Sequence, residues 1–171
     1  MPLTTLLDSS PLLSTTDPSW TEIILDNFDT FLADHANCER KASAQAMSMV
    51  MRYPDRQQIV PRLIALAREE LTHFEEVYQL MASRGIRLAP DEKDPYINQL
   101  LQLSHGKSDE RLLDRLLICS LVEARGAERF GLLSEALEEP ELKKFYLALY
   151  RCETQHSRIF EQMAGHYFPA E

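Results

Sequence analysis

Long stretches of this chain contain neither glycine nor proline, and that constrains the fold more than any other feature. Only 5 of the 171 residues are Gly, so a fold made of tightly turned β-strands is disfavoured and long helices are favoured. The apolar residues recur with helical spacing. From Trp20 they run through Ile24, Phe28, Phe31 and Leu32 to Ala42, Ala46, Met47 and Val50. "TDPSW" supplies helix-start chemistry, with Asp17 or Ser19 as the cap, and "RYPDR" stops the first helix near Tyr53. Asp55 is the expected cap of a second helix, carrying Leu63, Leu66, Val77, Leu80 and Met81 and closing at Gly85. A third helix starts at Ser108 or Asp109 and presents Leu112, Leu116, Leu117, Cys119, Val122, Phe130 and Leu133. After the short turn "EEPE", Pro140 opens a fourth that ends near Gly165.

Between the two helical pairs, residues 86–107 hold two prolines and one short helical run, too long for a tight turn and suited to a crossover. Two antiparallel hairpins joined this way predict an all-α, ferritin-like four-helix bundle with short extra helical segments. Residues 1–17 read as an irregular lead-in, and 18–171 as one domain large enough for a single core. No apolar run approaches the ~20 residues that span a bilayer, and "MPLTTLLDSS" has no basic region that would mark a secretory signal. Three cysteines inside helical stretches point to reduced thiols in a cytoplasmic protein.

Net charge is −9, which by itself argues against a nucleic-acid partner. Its distribution softens that conclusion. Residues 1–39 hold seven acids and no Lys or Arg, so the remainder carries all 18 basic residues against 20 acids.

Two of the five histidines follow a glutamate by three residues, Glu70–His73 in "ELTH" and Glu153–His156 in "ETQH". At that spacing both side chains lie on one side of a helix, one turn apart. Surface helices often carry such pairs, so one alone says little. Here each is preceded by a further glutamate, Glu39 by 31 residues and Glu123 by 30. The halves superpose at an offset of 83 or 84, and in an antiparallel hairpin Glu39 would face Glu70 and His73 while Glu123 faces Glu153 and His156. Leu32, Phe31, Ala42, Ser43, Ala46 and Met47 flank Glu39; Leu116, Cys119, Gly126, Ala127 and Phe130 flank Glu123. Each glutamate thus interrupts an apolar stripe, and a buried carboxylate requires a cation or a proton. Four carboxylates and two imidazoles form the ligand set for a pair of iron or manganese ions.

Other residues read more plainly. His35, one turn before Glu39, is expected as a hydrogen-bonded histidine bordering the site. Cys38 and Cys152 are expected to be small buried residues and not ligands, and Glu69 a surface carboxylate. Arg40, Lys41, Arg125 and Arg129 read as solvated helix charges or contacts for an anionic substrate. His105 and His166 carry no signal.

The stretches "DHANCERKASAQAMSM", "REELTHFEEVYQLMASRGI", "VEARGAERFGLLSEAL" and "CETQHSRIFEQMA" resemble the bacterial tRNA hydroxylase family MiaE, from about Trp20 onward. The text around Glu39 and Glu123 carries the resemblance more than the ligand pattern, which ferritin-like di-iron proteins have in common. The resemblance implies metal ligands Glu39, Glu70, His73, Glu123, Glu153 and His156, with Glu70 or Glu123 bridging two iron ions. It implies O2-dependent hydroxylation of a terminal methyl of the isopentenyl group of 2-methylthio-N6-isopentenyladenosine beside the anticodon of tRNA. No reductase domain is visible, so a separate ferredoxin or flavoprotein would supply electrons. The oligomeric state stays open, with a monomer as the expectation. An iron-storage or ferroxidase protein and a manganese catalase are the competing readings on the same bundle.

Overall fold

A computed structural model describes residues 10–90, 93–106 and 108–169, and every regular element among them is a helix. These are α1 (Ser19–Asp26), α2 (Phe28–Arg52), α3 (Val60–Ser83), α4 (Pro95–Gln102), α5 (Ser108–Ala136) and α6 (Pro140–Tyr167). They fall into two compact units, Ile23–Glu92 and a second built from Met1–Glu22 and Lys93–Glu171. Residues 1–9 of the expected lead-in, 1–17, lie outside the described residues; 10–18 are irregular.

The first unit is an antiparallel hairpin of α2 and α3. Its apolar seam comes from Leu32, Ala36 and Met49 on α2 against Leu63, Val77 and Met81 on α3, all wholly buried. Each such leucine contributes about 1.5–3 kcal/mol by leaving water. The Ser43 hydroxyl donates to the Ala67 carbonyl at 2.7 Å, tying the helices together at mid-height. At the open end, Arg84 pairs with Asp29 at 2.7 Å and lies over the Phe28 ring.

Two boundaries in this unit differ from expectation. The first helix is interrupted at Asn27 (φ −128°, ψ 35°), whose side-chain amide donates to the Ile23 carbonyl and diverts the backbone. Asp55 does not cap the second helix. It sits in a turn held by the Gln57 N–H on the Asp55 carbonyl, and α3 starts five residues later, where Pro61 occupies the first turn. The far end matches. Gly85 takes φ 71°, the Ile86 N–H reaches the Met81 carbonyl and the Gly85 N–H reaches Ala82, a left-handed cap that a side chain would strain.

The second unit packs α5 against α6 around Leu112, Leu116, Leu133, Tyr146, Phe160 and Met163. Leu117 and, in the first unit, Met47 were expected in the cores but are 43% and 41% exposed, because their positions drift off the buried stripe. The short helical run of the crossover is α4, capped by the Asp94 carboxylate on the N–H groups of Tyr96 and Ile97. The N-terminal segment is fastened to α5 through Glu128, whose carboxylate accepts from the Thr16 N–H at 2.8 Å and the Thr16 hydroxyl at 2.6 Å. Asp17 caps α1, accepting from the Ser19 N–H at 2.8 Å. Among the described residues no helix is long and apolar enough to cross a membrane.

Candidate metal centre

The α2–α3 hairpin brings Glu39, Glu70 and His73 together. Glu39 lies midway along α2; Glu70 and His73 are one turn apart on the facing side of α3, and all three are buried. His73 Nδ1 is 3.4 Å from Glu70 Oε2 and 3.7 Å from Glu39 Oε2. The other oxygen of Glu39 lies 2.7 Å from His35 Nε2, with the His35 ring stacked on Phe31. Burial pushes the Glu39 carboxyl up, but the hydrogen bond from His35, the neighbouring His73 imidazole and the positive charge available to His35 outweigh it. Glu39 is therefore held anionic, well below the usual carboxylate range.

The α5–α6 hairpin repeats the arrangement with Glu123, Glu153 and His156. Glu153 and His156 are buried, with His156 Nδ1 3.2 Å from Glu153 Oε2, while Glu123 is half-buried. Gly126 stands opposite Glu153; a Cβ placed there would meet the glutamate Cγ at 4.0 Å. Within each trio the donor atoms lie within 4.8 Å of one another. Two carboxylates and one neutral imidazole per hairpin are hard and borderline donors, suited to ferrous iron or manganese and poorly matched to soft metals.

The remaining expectations divide. His35 is buried and hydrogen-bonded, and Glu69 is exposed, as read from the sequence. Cys38 is a correction: it is exposed, since its Cβ points off the α2 seam that Glu39 occupies. Cys152 is half-buried with its Sγ 3.7 Å from His156 Nε2. Arg125 is paired with Glu128, Arg129 lies over the Trp20 ring, and Arg40 donates to Asn37. His105 pairs with Asp114 at 2.9 Å. Glu128, 3% exposed, is a buried carboxylate that the sequence reading passed over. Its available signal was Arg125 one turn earlier.

Residues 5–171 match the family model described as tRNA-(MS[2]IO[6]A)-hydroxylase (MiaE). The chain belongs to the MiaE family. A Pseudomonas putida relative named tRNA 2-(methylsulfanyl)-N(6)-isopentenyladenosine(37) hydroxylase is 36% identical over 152 residues, 89% of this chain and 74% of the relative. A Salmonella typhimurium protein of the same name is 31% identical over 134 residues, 78% of this chain. The match spans about half, 47%, of that longer MiaE-family protein. Among solved structures, a Synechococcus protein described as having aldehyde deformylating oxygenase activity superposes with a TM-score of 0.88 at 35% identity. That superposition covers 92% of this chain and 79% of the other. This MiaE-family chain thus has the all-α, ferritin-like fold expected from its helix pattern.

Proposed function

We propose that this protein is a di-iron monooxygenase that hydroxylates the isopentenyl group of 2-methylthio-N6-isopentenyladenosine in tRNA, beside the anticodon. The observation that carries the reading is the pair of Glu and Glu-x-x-His trios, one in each hairpin of a chain matched almost end to end by a hydroxylase family. Glu39, Glu70 and His73 with Glu123, Glu153 and His156 would hold two iron ions, four carboxylates balancing two divalent charges. Iron so held would supply the reductive activation of O2 that protein side chains cannot provide. The balance is R–CH3 + O2 + 2e⁻ + 2H⁺ → R–CH2OH + H2O, the electrons coming from a separate ferredoxin or flavoprotein.

The chain's own residues fix the ligands and exclude water. Ser43 locks α2 to α3 beside Glu39, so the three donors of that hairpin keep their spacing. Leu32, Ala36 and Ala46, on the same helix as Glu39, are buried, an apolar setting that keeps solvent out. Positive charge is scattered over residues 40–171 without a dense run, which fits recognition centred on a base taken out of its stack rather than on a long phosphate track. A tRNA substrate fits a cytoplasmic location.

The test is nucleoside analysis of tRNA from cells lacking the protein, before and after its restoration. The hydroxylated nucleoside should disappear and return. Its persistence without the protein would sink the proposal, and aldehyde turnover by the purified protein would favour the activity named for the Synechococcus neighbour.

A further inference from the structure

The two half-sites repeat each other in ligands but not in what holds them. At the place corresponding to His35, one turn before the single glutamate, the second half carries Cys119. His35 Nε2 is 2.7 Å from Glu39 Oε1, both residues are at least nine-tenths buried, and the imidazole is pinned by Phe31 at a ring separation of 5.7 Å. A carboxylate can only accept, so the imidazole N–H donates. Cys119 has a thiol, a weak donor that cannot impose the same restraint on Glu123.

We propose that His35 is a positioning residue that restricts Glu39 to a single donor oxygen and so makes the two metal positions inequivalent. The inference rests on reading Glu39 as a metal ligand. Oε1 is occupied by the imidazole, and Oε2, the oxygen turned toward His73 Nδ1, is the one left for a cation. A carboxylate restricted in this way would offer a cation one oxygen, not two. The matching place before Glu123 holds a thiol instead of an imidazole, so the two glutamates are restrained by different donors. Partners of this sort typically change metal affinity 10–100-fold when removed.

The experiment is anaerobic titration of the full-length protein with ⁵⁷Fe(II), read by Mössbauer spectroscopy and chelator competition, for wild type, His35→Phe and His35→Gln. Wild type should bind two ferrous ions in two distinguishable environments. In His35→Phe one ion should bind about 10–100-fold more weakly with its spectrum altered, and the other should be unchanged. His35→Gln, which can still donate to Glu39, should stay close to wild type. His35→Asn, too short to keep the bond, gives the same reading should phenylalanine prevent folding. Two unchanged environments in a folded His35→Phe protein would overturn the inference and leave the di-iron reading intact, as would equal weakening of both ions. A wild-type protein that binds no ferrous iron would instead overturn the di-iron reading, and this inference with it.

Discussion

Glu128 keeps its charge in a buried position because both of its oxygens accept hydrogen bonds. Thr16 donates twice, from its N–H and its hydroxyl, and Arg125 donates to the same oxygen as the hydroxyl. Burial pushes this carboxyl up, but those donors and the guanidinium charge outweigh it, leaving it below its ordinary value. A carboxylate depressed in the folded state stabilises at pH above its unfolded value, and the contribution is lost as pH falls through the folded one. Glu128→Gln should therefore cost about 1.5–3 kcal/mol at neutral pH. It should also flatten the loss of stability on acidification below about pH 4.5, the ordinary glutamate value. Urea melts of both proteins across a pH series check this; parallel curves would show that the latch contributes nothing. The latch was illegible in the sequence because Thr16 and Glu128 are 112 residues apart and nothing in either neighbourhood names the other. The burial of Glu39, Glu70, His73, Glu153 and His156 was legible because a polar residue that breaks an apolar stripe, twice at matched spacing, is a pattern local composition does not produce.

Single helices show where local chemistry decides and where it is overruled. The α3 C-terminus was readable from Gly85 alone, since φ 71° is strained for any residue with a Cβ. Gly85→Ala should lower stability by roughly 1–2 kcal/mol, although a Cβ there would touch nothing within 4 Å. Gly126 makes the opposite case. It lies inside α5, its added Cβ would meet only the Glu153 Cγ at ordinary contact distance, and alanine is the better helix former. Gly126→Ala should raise stability by about 0.5–1 kcal/mol, and thermal melts of the two variants should shift in opposite directions. A loss in Gly126→Ala would mean that the space beside Glu153 is already filled. The α2 and α3 starts depart from the local sequence signals for a related reason. Asp55 has the side chain of a cap, but the residues after it form a turn, and Pro61 defers the helix until its ring can occupy the first turn. Asn27 lies in a run whose apolar spacing continues on both sides, so periodicity alone could not show the break.

For the molecule as a whole, the proposed six-ligand site makes metal content and stability one measurement. Each hairpin carries two carboxylates and one imidazole, and the proposal has all six serve a single pair of ions. Removing one glutamate from each hairpin, in Glu70→Ala/Glu153→Ala, should then take the bound iron from two ions per chain to nearly none. Glu70→Ala alone should lose more than one ion if that carboxylate bridges, and about one if each hairpin holds its own. Because iron would bind the folded chain and not the unfolded one, loading also stabilises. A hundredfold excess over the dissociation constant contributes about 2.7 kcal/mol for each site. Wild type should therefore melt at a higher temperature with ferrous iron than after chelation, while the double variant melts at the same temperature in both. Metal analysis by mass spectrometry and paired melts under argon test this together. Two ions still bound by the double variant would refute the ligand assignment. An iron-dependent melting shift that survives in it would place the stabilising metal elsewhere on the chain.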